Sequence, residues 1–217
     1  MMEFTLWDFA RNLLLAARWT LLLSAIAFAG GISLGLLLLA IRVSKFKRVH
    51  IAIKLYVELF QSTPLLMQLF LVFFGIPMLG IDVSAWLAAA VCLTLYASAY
   101  LTDIWRGCVE AIPRGQWDAS ASLGLRYLAQ MRLVILPQAL RIATPPTVGF
   151  LVQLVKGTAL ASIVGFSEIT RTAQILTNAA FQPFVIFGMA ALIYFAMCFP
   201  LTLWARKLER QLANGQQ

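Results

Sequence analysis

Five apolar runs, each about 20 residues long, constrain the fold of this chain more than any other feature of its sequence. They cover residues 19–41, 59–81, 85–102, 142–165 and 184–205. A helix of about 20 apolar residues is long enough to cross the hydrocarbon core of a bilayer. The 217 residues are 61% hydrophobic and 12% charged, whereas a soluble domain is roughly half apolar and a quarter charged. The sequence therefore predicts an all-α membrane protein with five transmembrane helices, forming a single domain over residues 1–217.

Lysine and arginine alternate between sparse and dense from one connecting segment to the next. The segment between the second and third runs has none, and the one before the fifth run has Arg171 alone. The two dense segments contain Arg42, Lys45, Lys47, Arg48 and Lys54, and Arg106, Arg114, Arg126, Arg132 and Arg141. By the positive-inside rule, the amino terminus lies outside and the carboxyl terminus in the cytoplasm. The net charge of +8 is then a topology signal. We expect the bilayer as a partner and no nucleic acid.

No constellation of catalytic or metal-ligating residues occurs in the sequence. There is one histidine, His50, and the cysteines Cys92, Cys108 and Cys198 are far apart. No glycine-rich phosphate loop of the P-loop type is present. We therefore expect no catalytic residue, no metal and no cofactor bound by this chain. Any ATP hydrolysis would belong to a separate polypeptide.

Lys156 is the one charged residue within the five apolar runs. A cation at the bilayer centre costs about 2.5–3.5 kcal/mol on insertion scales, so it faces protein or a water-filled cavity. Two interpretations stay open: a substrate-pathway lysine near a carboxylate-bearing substrate, or a lysine satisfied by carbonyls or a neighbouring carboxylate. Gln153 shares its helical face, and Thr158 follows two residues later.

The second run also contains polar residues and a proline. Pro64 is expected to be a tolerated kink within one spanning helix. The polar side chains could line the same cavity as Lys156, although such residues often only join helices to one another. They are Gln61, Thr63 and Gln68.

The longest connection lies between the third and fourth runs, and residues 112–137 have the pattern of two helices divided by a turn. Pro113 suits the first turn of a helix that extends to Leu123. Gly124 then supplies a left-handed or sharply turning position. A second helix begins at Leu125, and Pro137 is expected to end it, because the residue before a proline is driven away from helical angles.

From the residues alone, this hairpin is either a surface element lying on the lipid headgroups or a docking element. Its small residues Ala119, Ser120 and Ala121 allow another molecule to approach closely. The spacing Asp118-Ala119-Ser120, three residues, Gly124, nine residues, Val134-Ile135-Leu136-Pro137 resembles the EAA loop of ATP-binding-cassette (ABC) importer permeases. Residues 56–77, 99–119, 154–165 and 187–212 resemble the polar amino-acid subfamily, of the histidine/glutamine/arginine type.

Five positions depart from the family pattern. Asp118 stands for the usual Glu and Ser120 for the second Ala, both conservative changes in a short docking helix. Gln61-Ser62 replaces the usual Arg-Gly, and Gly157 replaces the Asp that usually follows the lysine. The loss of that carboxylate leaves Lys156 without its usual neighbour.

The resemblance implies a type I importer permease fold in a bacterial inner membrane. Two permease subunits, identical or homologous, would form a pore, and two ATPase subunits would hold ATP and Mg²⁺. A periplasmic binding protein would deliver the amino acid, polar or charged. Asp118 would accept hydrogen bonds in the ATPase cleft, Gly124 would permit the bend, and Arg126 and Arg132 would contact its rim. Ala119, Ser120, Leu136 and Pro137 complete the coupling motif.

Two other functions were weighed against this one. A secondary transporter or channel subunit would need acidic residues within its spans for ion coupling, and the five runs contain none. A small membrane enzyme would need a cluster of histidines or carboxylates, which the chain lacks.

Overall fold

Three long helices form the frame of the molecule. The computed structural model describes residues 5–42 and 47–214, and every element in those ranges is helical. The long helices are α1 (Leu6–Arg42), α4 (Ala85–Glu110) and α9 (Pro183–Asn214). All three are long and apolar enough to cross a membrane. They confirm helices at the first, third and fifth predicted spans, and each helix is longer than the apolar run that predicted it.

The second predicted span is broken. Helix α2 (Lys47–Ser62) ends before Pro64, and α3 (Leu65–Phe70) begins after it, continuing as a π turn, Leu71–Gly75, and a 3-10 turn, Pro77–Leu79. The two arms meet at 107°. The expected kink at Pro64 is therefore a full break in the helix over 59–81. Pro64 is extended, with φ −63° and ψ 133°, and it disfavours helical angles in the residue before it.

The fourth predicted span, 142–165, overlaps α7 (Leu136–Gly157) and the 3-10 turn Thr158–Ser162 that follows it. Within the described residues, three helices meet the length and hydropathy required of a membrane span, or four if the bent α2–α3 pair counts as one. The number of five spans therefore stays a prediction. Of the charges that predicted the orientation, Lys45 lies outside the described residues.

Helices α1 and α4 cross closely at the centre of the largest core. A Cβ atom placed on Gly31 would lie 2.5 Å from the Cβ of Ala97, so the crossing depends on the missing side chain. Buried residues from three helices surround it: Leu23, Leu93, Ala97, Leu101, Phe150 and Leu154. Outside this core, large apolar side chains such as Leu14, Leu21 and Phe195 are exposed. A surface of that kind is what a lipid-facing bundle presents.

A second core joins the two ends of the chain. Helix α8 (Ile169–Ala180), which the sequence reading left as part of a connection, packs between α1 and α9. Phe9, Leu13, Ile169 and Ile186 are fully or almost fully buried there. This packing holds α9 beside α7, and the groove between α7 and α9 contains the intramembrane lysine predicted from the sequence.

Candidate functional site

The hairpin predicted for residues 112–137 is present, with α5 (Arg114–Ser122) and α6 (Tyr127–Gln130) as its arms. Pro113 stands immediately before α5. Gly124 has φ +76°, the left-handed conformation expected of it. Its N–H donates to the carbonyl of Ala121, and the N–H of Leu125 donates to that of Ser120. These two bonds form a Schellman motif, which ends α5 and turns the chain.

The predicted stop at Pro137 is wrong. Helix α6 continues as a π turn, Met131–Ile135, directly into α7, which begins at Leu136 with Pro137 in its first turn. Pro137 has no N–H to donate to the preceding turn, so the continuous helix loses one hydrogen bond there without ending. The wider π turn just before it changes the hydrogen-bond register. The hairpin is therefore joined to α7 by continuous helix.

The base of the hairpin is anchored and its tip is exposed. Ile112, Met131, Ile135 and Ala139 form a small buried core beneath it. Of the predicted coupling residues, Asp118, Ala119, Gly124, Arg126, Arg132 and Pro137 are exposed, Leu136 is half-buried, and Ser120 is buried. The Ser120 hydroxyl donates to the carbonyl of Trp117 at 2.8 Å, so it serves the helix itself.

The tip carries apolar side chains that the chain does not cover. Leu123 and Leu128 are each 81% exposed, and Tyr127 is 50% exposed. The ring of Tyr127 stacks on that of Trp117, with centroids 6.3 Å apart. Partial burial raises the pKa of the Tyr127 phenol. Exposed leucines on both arms, beside the small residue Ala119, make a surface suited to contact with another protein.

Lys156 lies in a groove of about 550 Å³ between the end of α7 and α9, here called the Lys156 groove. Among the described residues, the charged ones that line this groove are Lys156 and Arg206, and none of its lining residues is a carboxylate. Its polar lining residues are Tyr194 and Thr202, and the rest are Ala159, Ala191, Phe195, Cys198, Phe199 and Leu203. The Lys156 side chain is exposed along this groove.

The other residues predicted for the substrate pathway are not all brought together with Lys156. Gln153 is exposed on the same side of α7, and its Nε2 donates to the Tyr96 hydroxyl at 3.2 Å. Thr158 is fully buried, and its hydroxyl donates to the carbonyl of Val155 at 2.7 Å. Thr158 therefore does not line the groove, because its side chain packs inward.

Thr63 and Gln68 line a separate groove of about 300 Å³ at the α2–α3 break. The amide of Gln68 donates to the carbonyls of Phe60 and Thr63, at 2.9 and 3.0 Å, and to the Thr63 hydroxyl. It thereby satisfies carbonyls that the break leaves without intrahelical partners. Gln61 contacts Asp103 on α4, at 3.3 Å. These polar residues join parts of the bundle rather than lining the Lys156 groove.

The sequence reading missed the role of Glu168. Its side chain is fully buried and accepts from the N–H of Arg171 at 2.8 Å, capping α8, and from the hydroxyl of Tyr194 at 2.7 Å. Burial raises the pKa of this carboxyl. The signal in the sequence was a carboxylate directly before the amphipathic stretch ITRTAQILTNAA, where an acidic N-cap is favoured.

A model of the binding-protein-dependent transport system inner membrane component family matches residues 12–214. The chain belongs to this family. It is 35% identical over 196 residues to the probable amino-acid ABC transporter permease protein YckA of Bacillus subtilis (strain 168), covering 90% of this chain and 87% of that protein. It is 34% identical to the L-cystine transport system permease protein TcyB of the same organism, covering 89% and 83%.

A solved structure agrees with these relatives. A chain of the crystal structure of an amino acid ABC transporter with histidines superposes with a TM-score of 0.89 at 30% identity, covering 93% of this chain and 94% of that one. An inward-facing structure of the MetNI methionine ABC transporter has a TM-score of 0.70 at 21% identity, which shows a common fold. The resemblance to amino-acid ABC importer permeases is therefore confirmed.

Proposed function

We propose that this chain is the membrane-spanning subunit of an ATP-driven importer that carries amino acids across the inner membrane of a bacterium. The observation that carries the proposal is the α5–α6 hairpin. It combines a rigid Schellman turn at Gly124 with exposed Leu123 and Leu128, in a chain whose sequence contains no P-loop. A transport subunit without a nucleotide site needs a surface for a separate motor protein.

In this proposal the hairpin is the coupling loop and docks into a cleft on an ABC ATPase subunit, which holds ATP and Mg²⁺. The exposed Asp118 would accept hydrogen bonds in that cleft, Ala119 would permit close approach, and Arg126 and Arg132 would contact its rim. The continuous helix from α6 through Pro137 into α7 gives the motion a direct route. A displacement at the hairpin would be transmitted along this helix towards Lys156.

The remaining partners follow from alternating access, in which ATP binding and hydrolysis shift a two-state bundle. A second permease subunit, identical or homologous, would complete the pore. A periplasmic binding protein would deliver the amino acid to the outer face. The orientation has the amino terminus in the periplasm and the carboxyl terminus in the cytoplasm. It would leave the hairpin on the ATP side of the membrane, as the proposal requires.

Lys156 and Gln153 are the proposed substrate-contacting residues of this chain. They share the open side of α7, and Lys156 has a groove of small-molecule size beside it, about 550 Å³. Thr158, Thr63 and Gln68 have their side chains committed to helix carbonyls. Their contribution to the pathway is accordingly to hold the broken helices in place.

The experiment is uptake of radiolabelled amino acids by proteoliposomes that contain the permease with its ATPase. Accumulation should require ATP on the ATPase side and the binding protein on the other side. Uptake that persists without ATP and instead follows an imposed ion gradient would contradict the proposal and indicate a secondary transporter. A matched preparation with a hydrolysis-deficient ATPase gives the background.

A further inference from the structure

The charged side chains described in the Lys156 groove are both positive, although the groove lies along a helix long enough to cross a membrane. Lys156 lines it together with Cys198, which stands midway along α9 (Pro183–Asn214), a helix long enough to cross the membrane. None of the ion pairs among the described residues includes Lys156. An unpaired ammonium at that depth needs an anionic partner or water. The groove therefore has room for an anion that none of the described residues of the chain provides.

Glu168, whose carboxylate accepts from the lining residue Tyr194, does not provide that anion. It is fully buried behind the wall of the groove and accepts bonds from Tyr194 and from the N–H of Arg171. It is absent from the groove lining, whereas the cations Lys156 and Arg206 are part of it. A molecule in the groove therefore meets positive charge and no carboxylate.

The two hydroxyls of the lining are poised to accept hydrogen bonds. The proton of Tyr194 is directed to Glu168 at 2.7 Å, and that of Thr202 to the carbonyl of Cys198 at 2.9 Å. The Tyr194 oxygen also lies 3.3 Å from the Thr170 hydroxyl, so it keeps one lone pair for an incoming donor, whereas the Thr202 oxygen keeps both. A free α-amino acid has a carboxylate for Lys156 and an ammonium for such acceptors.

We propose that the Lys156 groove binds an amino acid whose side chain carries no positive charge, and that it excludes lysine and arginine. This inference rests on the proposed function and names its substrate class. The α-carboxylate pairs with Lys156, the α-ammonium donates to Tyr194 and Thr202, and the side chain packs on the apolar wall that includes Phe195 and Phe199. A cationic side chain is rejected because the groove offers two like charges and no carboxylate.

The test is equilibrium binding of radiolabelled L-leucine, L-glutamine and L-arginine to the purified permease–ATPase complex in detergent. The binding protein is left out, so that its own selectivity cannot decide the result. L-leucine or L-glutamine should bind the wild type at least tenfold more tightly than L-arginine. Lys156→Met should weaken that binding at least tenfold. The matched control is Lys207→Met, which removes an exposed lysine outside the groove and should bind as the wild type does.

A second variant keeps the proposal testable if Lys156→Met fails to assemble with the ATPase. Ala159→Asp puts a carboxylate into the groove lining and should raise L-arginine binding relative to L-leucine. Arginine binding equal to that of the neutral amino acids in the wild type would overturn the inference. So would equal binding by Lys156→Met and Lys207→Met, or no binding of either neutral probe. Failure of ATP-dependent uptake of every amino acid would instead refute the proposed function.

Discussion

Replacing Gly31 by alanine tests the packing at the centre of the bundle. The new methyl group would lie 2.5 Å from the Cβ of Ala97, 3.2 Å from its carbonyl carbon and 3.3 Å from the nitrogen of Ser98. Carbon atoms pack at about 3.5–4.0 Å, so α1 and α4 would have to separate by roughly 1 Å at this crossing. Overpacking a well-packed core costs about 1–3 kcal/mol. Since each kcal/mol shifts the melting temperature of a chain this size by about 2–4 °C, a cost of about 2 kcal/mol lowers it by about 4–8 °C.

The assay is the fraction of detergent-purified protein that elutes as a single species after heating to a series of temperatures. Gly188→Ala is the matched control, because a Cβ on Gly188 would meet nothing within 4 Å. Alanine favours helix over glycine by about 1 kcal/mol, so this control should melt at or slightly above the wild-type temperature. Equal melting temperatures for Gly31→Ala and Gly188→Ala would refute the close α1–α4 crossing.

Two further predictions concern buried polar residues, and the same heating assay tests both. Glu168→Ala leaves the Tyr194 hydroxyl without the acceptor at 2.7 Å. Because an unsatisfied buried group costs about 1–3 kcal/mol, the melting temperature should fall, whereas Glu58→Ala, which breaks an exposed ion pair, should change it little. Equal losses in these two variants would contradict the buried cap. Gln68→Leu removes the amide that donates to the open carbonyls at the α2–α3 break, so it should also lower the melting temperature. Gln182→Leu, at an exposed connection, is its control and should change the melting temperature little. Equal melting temperatures for these two variants would show that the Gln68 amide does not stabilise the break.

The long helices could be predicted from the sequence because hydropathy alone specifies them. Runs 19–41, 85–102 and 184–205 each lie within a single helix, and α9 continues through Pro200 although that residue has no N–H to donate. Their ends could not be predicted, because α1 and α9 extend beyond the apolar run with amphipathic residues. The charged residues there face outward, and hydropathy then drops while the helix continues.

At two prolines, the course of the helix could not be predicted from the adjacent residues alone. Pro64 breaks a span that it was expected only to kink, and the helix continues through Pro137, where a stop was expected. The two sites differ in the neighbouring groups that compensate for the proline. Gln68 supplies donors to the open carbonyls at the first break, and a π turn adjusts the register before the second proline. Such compensation depends on contacts that a proline in a sequence does not reveal.

The candidate site was predictable in part. Gly124 was assigned its left-handed turn correctly, because few residues other than glycine accept a positive φ, here +76°. The Lys156 groove, with its two cations and no carboxylate, depends on the packing of α7 against α9. The role of Glu168 depends on the contact between α8 and α9. Neither long-range pairing has a signature in the residue spacing.

The central claim is that ATP hydrolysis by a partner drives transport through the α5–α6 hairpin. Valine at Gly124 tests it most directly, with valine at Gly80 as the matched control. Both glycines have positive φ, +76° and +83°, and open space where a Cβ would stand. A β-branched residue therefore strains the backbone comparably at each. The control position directly follows the 3-10 turn Pro77–Leu79, at the end of the second predicted span, which is expected to lie on the other side of the membrane.

The measurement is ATP hydrolysis stimulated by the binding protein in proteoliposomes, with amino-acid uptake recorded in parallel. Gly124→Val should lower both to the unstimulated level while the variant still elutes as a single species. Gly80→Val should keep its hydrolysis and uptake coupled. Wild-type stimulation and uptake in Gly124→Val would contradict the account, because the hairpin would then not be the site at which the motor acts.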